Sequence, residues 1–196
     1  MALLDRTTSE GVRQRAFPVL ETARLILRAP RLEDAGAVAA LANDRRIAAN
    51  TARIPHPYGL ADAQAFLTTA NSIDDEITFV ICSSSGGIIG ACGIAKLDGD
   101  APEIGYWLGV AFWGRGYATE AARVLIDHAF GKLGYDTLLA GARVSNPASR
   151  RVLEKCGFQW TGVGLLRIRA LASSAPCDRF RLDRSLWVSL KSWAAE

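Results

Sequence analysis

Between residues 22 and 31 apolar and polar positions alternate, with Leu25 and Leu27 on one side and Arg24, Ile26 and Arg28 on the other, which predicts a strand. The period then lengthens. Residues 32–43 place Leu32, Ala35, Val38, Ala39 and Ala42 on one helical face, residues 45–51 suit a second short helix, and residues 61–71 turn Ala63, Phe66, Leu67 and Ala70 inward on a third. Ile54-Pro55-His56-Pro57-Tyr58-Gly59 interrupts the pattern, because two prolines and a glycine break regular hydrogen bonding. Residues 76–83 and 88–97 read as strands around a Ser84-Ser85-Gly86-Gly87 hairpin turn, and Asp98-Gly99-Asp100 makes a second turn into a strand over 103–110.

The clearest helical stripe follows, over 117–132: Ala118, Ala121, Ala122, Leu125, Ile126, Ala129 and Leu133 share one side, with Glu120, Arg123 and Asp127 opposite at ion-pairing intervals. Residues 137–144 form a fifth strand, parallel to the fourth because a helix connects them. Residues 146–156 form a helix with Ala148, Ser149, Val152, Leu153 and Cys156 inward, Arg150, Arg151, Glu154 and Lys155 outward, and Gly157 as its C-terminal cap. Residues 158–169 and 179–190 alternate as closing strands around a polar loop at 172–177. The first 20 residues suit a mobile arm with Phe17 and Val19 tucked back, residues 21–190 a single domain, and residues 191–196 a tail. The order of elements predicts an α/β (α+β) fold, a mixed sheet with helices on its faces.

Composition narrows the function. A 49% hydrophobic, 22% charged chain of 196 residues has enough apolar material for one core. A net charge of +3, from 23 basic and 20 acidic residues, is too mild to imply a nucleic-acid partner. Cys82, Cys92, Cys156 and Cys177 lack C-x-x-C spacing and only two histidines accompany them, so no metal is expected. Reduced, isolated cysteines, the polar stretch 1–15 and the lack of a roughly 20-residue apolar run lead to the expectation of a cytoplasmic protein with no membrane partner.

The candidate chemistry lies where the 103–110 strand reaches Gly114-Arg115-Gly116 and opens directly into the 117–132 helix. A first helical turn leaves backbone N–H groups without helical partners, and these can hold a phosphate. No Gly-Lys-Ser/Thr follows, which excludes a nucleotide P-loop. The missing third glycine and the preceding antiparallel hairpins argue against a dinucleotide fingerprint.

Trp113-Gly114-Arg115-Gly116-Tyr117-Ala118 resembles the acetyl-CoA pyrophosphate loop of the GCN5-related N-acetyltransferases (GNAT), Gln/Arg-x-x-Gly-x-Gly/Ala. Gly116 and Ala118 fill its fourth and sixth positions, and Trp113 stands where Gln or Arg is usual. Asn146-Pro147-Ala148-Ser149, followed by Glu154-Lys155-Cys156-Gly157-Phe158, resembles the family's second signature. Glu21-Thr22-Ala23-Arg24-Leu25-Ile26-Leu27-Arg28 and the wording around Tyr117-Ala118-Thr119-Glu120-Ala121 resemble the RimJ/RimL-type branch of ribosomal-protein alanine N-acetyltransferases. The resemblance spans residues 20–190. It implies the acyl-CoA N-acyltransferase fold: a mixed, mostly antiparallel sheet of six to seven strands, about four helices, and splayed fourth and fifth strands.

The same resemblance implies acetyl-CoA as cofactor and an amine acceptor, a protein N-terminus or a small amine, for a monomer or homodimer. Backbone amides from Arg115 to Thr119 would hold the pyrophosphate, with Trp113, Gly114, Gly116, Tyr117 and Ala118 shaping the loop. The main chain of Leu108, Gly109 and Val110 would meet the pantetheine arm. Asn146 would reach the pantetheine or sulfur region, cap its own helix, or both. Arg115 either pairs with a phosphate or is a solvated loop residue, and Thr119 either bonds the phosphate or caps the helix. Acetylation requires an amine that has lost its proton and a thiolate that gains one. Glu103, beside an apolar run that would raise its pKa, is the candidate base. Many relatives carry a tyrosine acid at the position occupied here by Leu153, so Ser149 is the substitute by position. Tyr106, Tyr117, Trp107, Phe112 and Trp113 read mainly as packing residues, His56 as an exposed loop residue that would border an acceptor groove, His128 as structural, and Cys156 as core. The competing reading is a catalytically inactive acyl-CoA sensor or scaffold.

Overall fold

Burial alternates along the first four-residue strand of the sheet. In β2 (Leu25–Arg28), Leu25 and Leu27 are fully buried while Ile26, on the other side, is 37% exposed. The computed structural model describes residues 17–70, 76–96 and 101–193. β2 is flanked by a short β1 (Leu20–Glu21) and by β3 (Glu76–Ser83), and antiparallel pairing continues through β4 (Ile88–Ala95) to β5 (Glu103–Leu108). β6 (Thr137–Arg143) then runs parallel to β5, and β7 (Gln159–Ile168) and β8 (Ser173–Asp183) complete an eight-stranded sheet in the order β1-β2-β3-β4-β5-β6-β8-β7.

Helices cover both faces. On one, α4 (Tyr117–Gly131) buries Ala121, Ala122, Leu125, Ile126 and Ala129 against Phe79, Ile81, Ile104, Leu138 and Phe180. Each large side chain so removed from water contributes about 1.5–3 kcal/mol. α5 (Pro147–Lys155) lies beside it and sinks Leu153 into the same core. Gly157, at φ +89°, ends α5. Its N–H donates to the Glu154 carbonyl and that of Phe158 to the Leu153 carbonyl, the double closure a left-handed residue permits. α1 (Ala35–Ala42) and α3 (Leu60–Thr69) form a second, smaller core that also takes in Trp107, with the short α2 (Arg45–Ala48) between them. Because alternate residues of a strand face opposite ways, β5 sends Ile104, Tyr106 and Leu108 toward α4 and Glu103, Gly105 and Trp107 toward the α1–α3 side.

Several expectations are corrected. The described residues hold eight strands and six α-helices, against six to seven and about four. Residues 173–177 are strand, not loop: Ala175 and Cys177 are buried and Pro176 exposed, and both neighbouring strands supply partners. Residues 184–190 are not strand but the start of α6 (Arg184–Trp193). Trp187 stacks on Phe130 at 5.3 Å and donates from Nε1 to Asp127 at 2.8 Å, and Lys191 pairs with Asp127 at 2.7 Å. Those i, i+4 contacts outweigh the local alternation.

Leu32 is 62% exposed in a 3-10 turn ahead of α1, and Ala148 is exposed rather than inward. Glu120, Arg123 and Asp127 do not pair with one another: they reach Arg24, the Lys155 carbonyl and Lys191 respectively. Phe17 does tuck back, edge-on to Phe79 at 5.0 Å, whereas Val19 is 56% exposed. The expected arm before Phe17 and the turn at 98–100 lie outside the described residues. Among the described residues no helix is long and apolar enough to cross a membrane.

Candidate active site

β5 and β6 are paired only at Glu103↔Leu139 and Ile104↔Ala140, after which β5 follows β4 and β6 follows β8. The expected splay is therefore present. The Pro102 carbonyl accepts from the Leu139 N–H at 2.8 Å, so alternation directs the main-chain groups of Ile104, Tyr106 and Leu108 to the β6 side. β6 has moved away by Tyr106 and Leu108, which face the gap. The expected trio Leu108, Gly109 and Val110 is only partly available. The Leu108 carbonyl accepts from Trp113 Nε1 at 2.8 Å. Both main-chain groups of Gly109 and the Val110 carbonyl are bonded internally, to Ile89, Phe112 and Trp113. Tyr106, read from the sequence mainly as a packing residue, also presents its main-chain groups to the gap.

A cleft of about 1040 Å³ passes through the gap and is lined from both faces of the sheet. On the α4 side it meets Gly114, Gly116, Tyr117, Ala118, Thr119, Asn146 and Ser149. On the α1–α3 side it meets Ile47, Ile54, Tyr58, Phe66, Glu103 and Leu166. Gly114 and Gly116 have φ of +74° and +81°, left-handed values that other residues adopt at a cost. Gly116 is the N-cap of α4 and brings no side chain to it; the first helical bond runs from the Glu120 N–H to the Gly116 carbonyl. The N–H groups of Tyr117, Ala118 and Thr119 thus lack helical acceptors and sit at the positive end of the helix dipole. Thr119 occupies the third helical position, which rules out its capping role. Arg115 is exposed.

Arg24 is a loop residue that local sequence did not disclose. Its guanidinium donates to the Arg115 carbonyl at 3.1 Å, pairs with Glu120 at 2.6 Å and lies over the Tyr117 ring at 4.6 Å. Burial pushes Glu120 up, but hydrogen bonds from Thr22 and Arg24 hold its carboxyl below the usual range. This brace joins the segment before β2 to the loop and the first turn of α4. Only the folded register shows it.

Asn146 caps α5, its Oδ1 accepting from the Ser149 N–H at 3.2 Å. The Ser149 hydroxyl lies 3.0 Å from the Tyr106 hydroxyl, which also reaches the Ser149 carbonyl at 3.2 Å. Burial raises the Tyr106 pKa, with the Ser149 contact opposing. Tyr106 therefore does more than fill space. Leu153, fully buried, offers no proton.

Across the sheet, burial raises the Glu103 carboxyl above the usual range, and Arg179, with Nη1 3.8 Å from Oε2, works against the rise. A carboxylate inclined to accept a proton and a hydroxyl pair thus flank one passage from opposite sides.

Other candidates fall away from the chemistry. His56 is exposed and does not line the cleft, although Pro55 and Tyr58 do. His128 packs edge-on to Phe79 at 6.2 Å, and burial lowers its pKa. Burial pushes the Cys156 thiol up to about 11, unsuited to a nucleophile. Trp107, Phe112 and Trp113 line the cleft, with Trp107 and Phe112 also in the cores and Trp113 44% exposed. No three His, Cys, Asp or Glu side chains converge on a metal-sized site among the described residues.

Residues 24–159 match the model of the acetyltransferase (GNAT) domain. The chain is 30% identical over 150 residues to the uncharacterized N-acetyltransferase p20 of Bacillus licheniformis, covering 74% of this chain and 84% of that one. It is 31% identical over 177 residues to the uncharacterized N-acetyltransferase YoaA of Bacillus subtilis, covering 83% and 93%. Among solved structures, a GNAT-family acetyltransferase from Bacillus anthracis superposes with a TM-score of 0.75 at 19% identity, over 86% of this chain and 99% of that one. Mycobacterium smegmatis RimJ, in complex with CoA-disulfide, superposes with a TM-score of 0.74 at 20% identity, over 86% and 87%.

Proposed function

The chain belongs to the GNAT acetyltransferase family, and from that premise we propose that it acetylates a primary amine, with Glu103 taking the amine's proton and the Tyr106–Ser149 pair giving one to the departing sulfur. Acetyl-CoA is the acetyl donor and supplies, when bound, a thioester already activated toward an amine. Its pyrophosphate suits the outward N–H groups of Tyr117, Ala118 and Thr119 and the bare backbone at Gly116, where a methyl group would come within 3.4 Å of Arg24. Its pantetheine arm suits the gap, where Tyr106 and the Leu108 N–H present main-chain groups as a missing strand would use them.

One observation carries the reading: the cleft through the splayed strands joins the glycine loop and Tyr106–Ser149 on one face to Glu103 on the other. Glu103 Oε then accepts the proton that the ammonium group must lose. The freed nitrogen then adds to the thioester carbonyl, the C–S bond breaks, and the departing thiolate takes its proton from the Ser149 hydroxyl, held by Tyr106 Oη 3.0 Å away. The second proton that nitrogen sheds as the amide forms is returned to Ser149 through solvent in the cleft. A 75-residue stretch, 37% of this chain and 41% of that one, is also 39% identical to the putative ribosomal N-acetyltransferase YdaF of Bacillus subtilis, which favours peptides of ribosomal proteins as the first acceptors to try.

Thiol release from acetyl-CoA, followed across a panel of N-terminal peptides and small primary amines, tests the proposal. The expected result is amine-dependent release with a monoacetylated product by mass spectrometry. Tight CoA binding with no release against any acceptor would instead favour the sensor reading. The brace gives a narrower prediction. Arg24→Ala removes the contacts of an arginine that is about half solvent-exposed, so a loss of about 0.5–1.5 kcal/mol is expected, or about two- to twelvefold weaker CoA binding by calorimetry. The maximal rate at saturating cofactor should change little.

A further inference from the structure

We propose that Arg179 is a positioning residue: its guanidinium reaches Glu103 through a trough left by two glycines and sets the carboxylate's readiness to take a proton. This rests on the reading of Glu103 as the base. Arg179 belongs to β8, two strands from β5, with Gly141 of β6 as its register partner and Gly164 of β7 beside it. A methyl at Gly164 would crowd the arginine, whereas one at Gly141 would press on Cys177 and touch both charged groups. A methyl at Gly164 would sit 3.2 Å from Arg179 Nε. One at Gly141 would sit 3.5 Å from Arg179 Nη1, 3.4 Å from Glu103 Oε1 and 3.0 Å from Cys177 Sγ.

The far edge of the guanidinium is fastened by Nη2, which donates to the Leu165 carbonyl at 3.3 Å, and the near edge lies 3.8 Å from Glu103 Oε2. Arg179 thus spans from a β7 carbonyl to a β5 carboxylate, crossing β6 where it has no side chain. The groups facing Glu103 among the described residues are few. β8 presents Arg179 and the buried Cys177 thiol, itself pushed up by burial and by Glu103. β4 and β6 present Ala95, Leu139 and Gly141. One cation therefore opposes the effect of burial on this carboxylate. It keeps Glu103 from holding its proton too far up the pH scale to accept one from an amine.

The test follows the carboxyl-carbon NMR signal of Glu103 against pH in the full chain, with the pH profile of kcat/KM beside it. Arg179→Met should move the midpoint and the acid limb of the profile upward by about 0.5–1 pH unit, at the low end of charge-pair effects because the arginine is partly exposed. Arg179→Lys, which keeps the charge, should restore part of that shift. Gly164→Ala should produce a smaller shift of the same sign and also serves if Arg179→Met fails to fold. An unmoved midpoint in both Arg179→Met and Gly164→Ala would overturn the proposal. Glu103→Gln separates this from the underlying reading: full activity in that variant would sink the base assignment, whereas a crippled variant with unmoved Arg179 titrations would sink only the inference.

Discussion

Replacing Glu103 with glutamine is expected to lower kcat/KM for acetyl transfer by about 10²–10⁴-fold, the usual worth of a positioned proton acceptor, without lowering the melting temperature at neutral pH. The two halves of this expectation have one origin. Burial raises the Glu103 pKa over the opposing pull of Arg179, so the folded chain holds that proton more tightly than the unfolded chain does. Stability then falls as pH rises from the ordinary carboxylate value through the raised one, because the unfolded state releases its proton first. Glutamine carries no charge to bury and lacks this dependence. The attraction lost to Arg179 spans 3.8 Å between partly exposed groups and is worth little. Kinetics and thermal melting on the same preparation check both halves. Equal losses of activity and stability would make Glu103 a structural residue.

The second large effect concerns how β5 is held against β4. Gly90→Ala is expected to destabilise the chain by about 3 kcal/mol, the upper part of the overpacking range, which for a chain of this length is about 6–12 °C in melting temperature. A methyl at Gly90 would lie 2.1 Å from the Trp107 carbonyl oxygen, 2.8 Å from Leu108 Cδ2 and 2.9 Å from Leu108 Cα. Two of these are backbone atoms of the paired strand, Gly90 being in register with Leu108, so relief requires prising the ladder apart. Gly36→Ala is the control. That glycine lies within α1 with nothing inside 4 Å of a methyl, so alanine there should stabilise by about 0.5–1 kcal/mol. Should Gly90→Ala melt with the wild type, the close approach of β4 and β5 is not a constraint.

What was legible in the sequence was whatever depended on local periodicity. Leu25 and Leu27 against Ile26 marked a half-buried strand, the stripe from Ala121 to Ala129 marked α4, and the turn from strand through Gly114 and Gly116 into a helix marked the loop. Local pattern misled where two periods fitted equally well. Residues 184–190 alternate, yet Trp187 and Lys191 converge on Asp127 only as a helix. Ala175 and Cys177 alternate with Pro176, but a proline between small residues resembles a turn. The less visible site residues were those whose meaning depends on distant register. Arg24 is an ordinary strand-flanking arginine until Arg115 arrives beside it. Tyr106 is a core aromatic until α5 brings Ser149 to its hydroxyl. Arg179 is unremarkable until Gly141 is found opposite it.

Joined across only two register positions, β5 and β6 divide the sheet into two half-sheets that share a short seam. Away from that seam the two halves are held together by α4 and α5, which pack into one core with strands of both. On the proposed reading a ligand between the halves would pair with the main chain of β5 in place of the missing neighbour, so occupancy is expected to stiffen the join as well as fill a cavity. Glu103 lies on the seam itself, in register with Leu139.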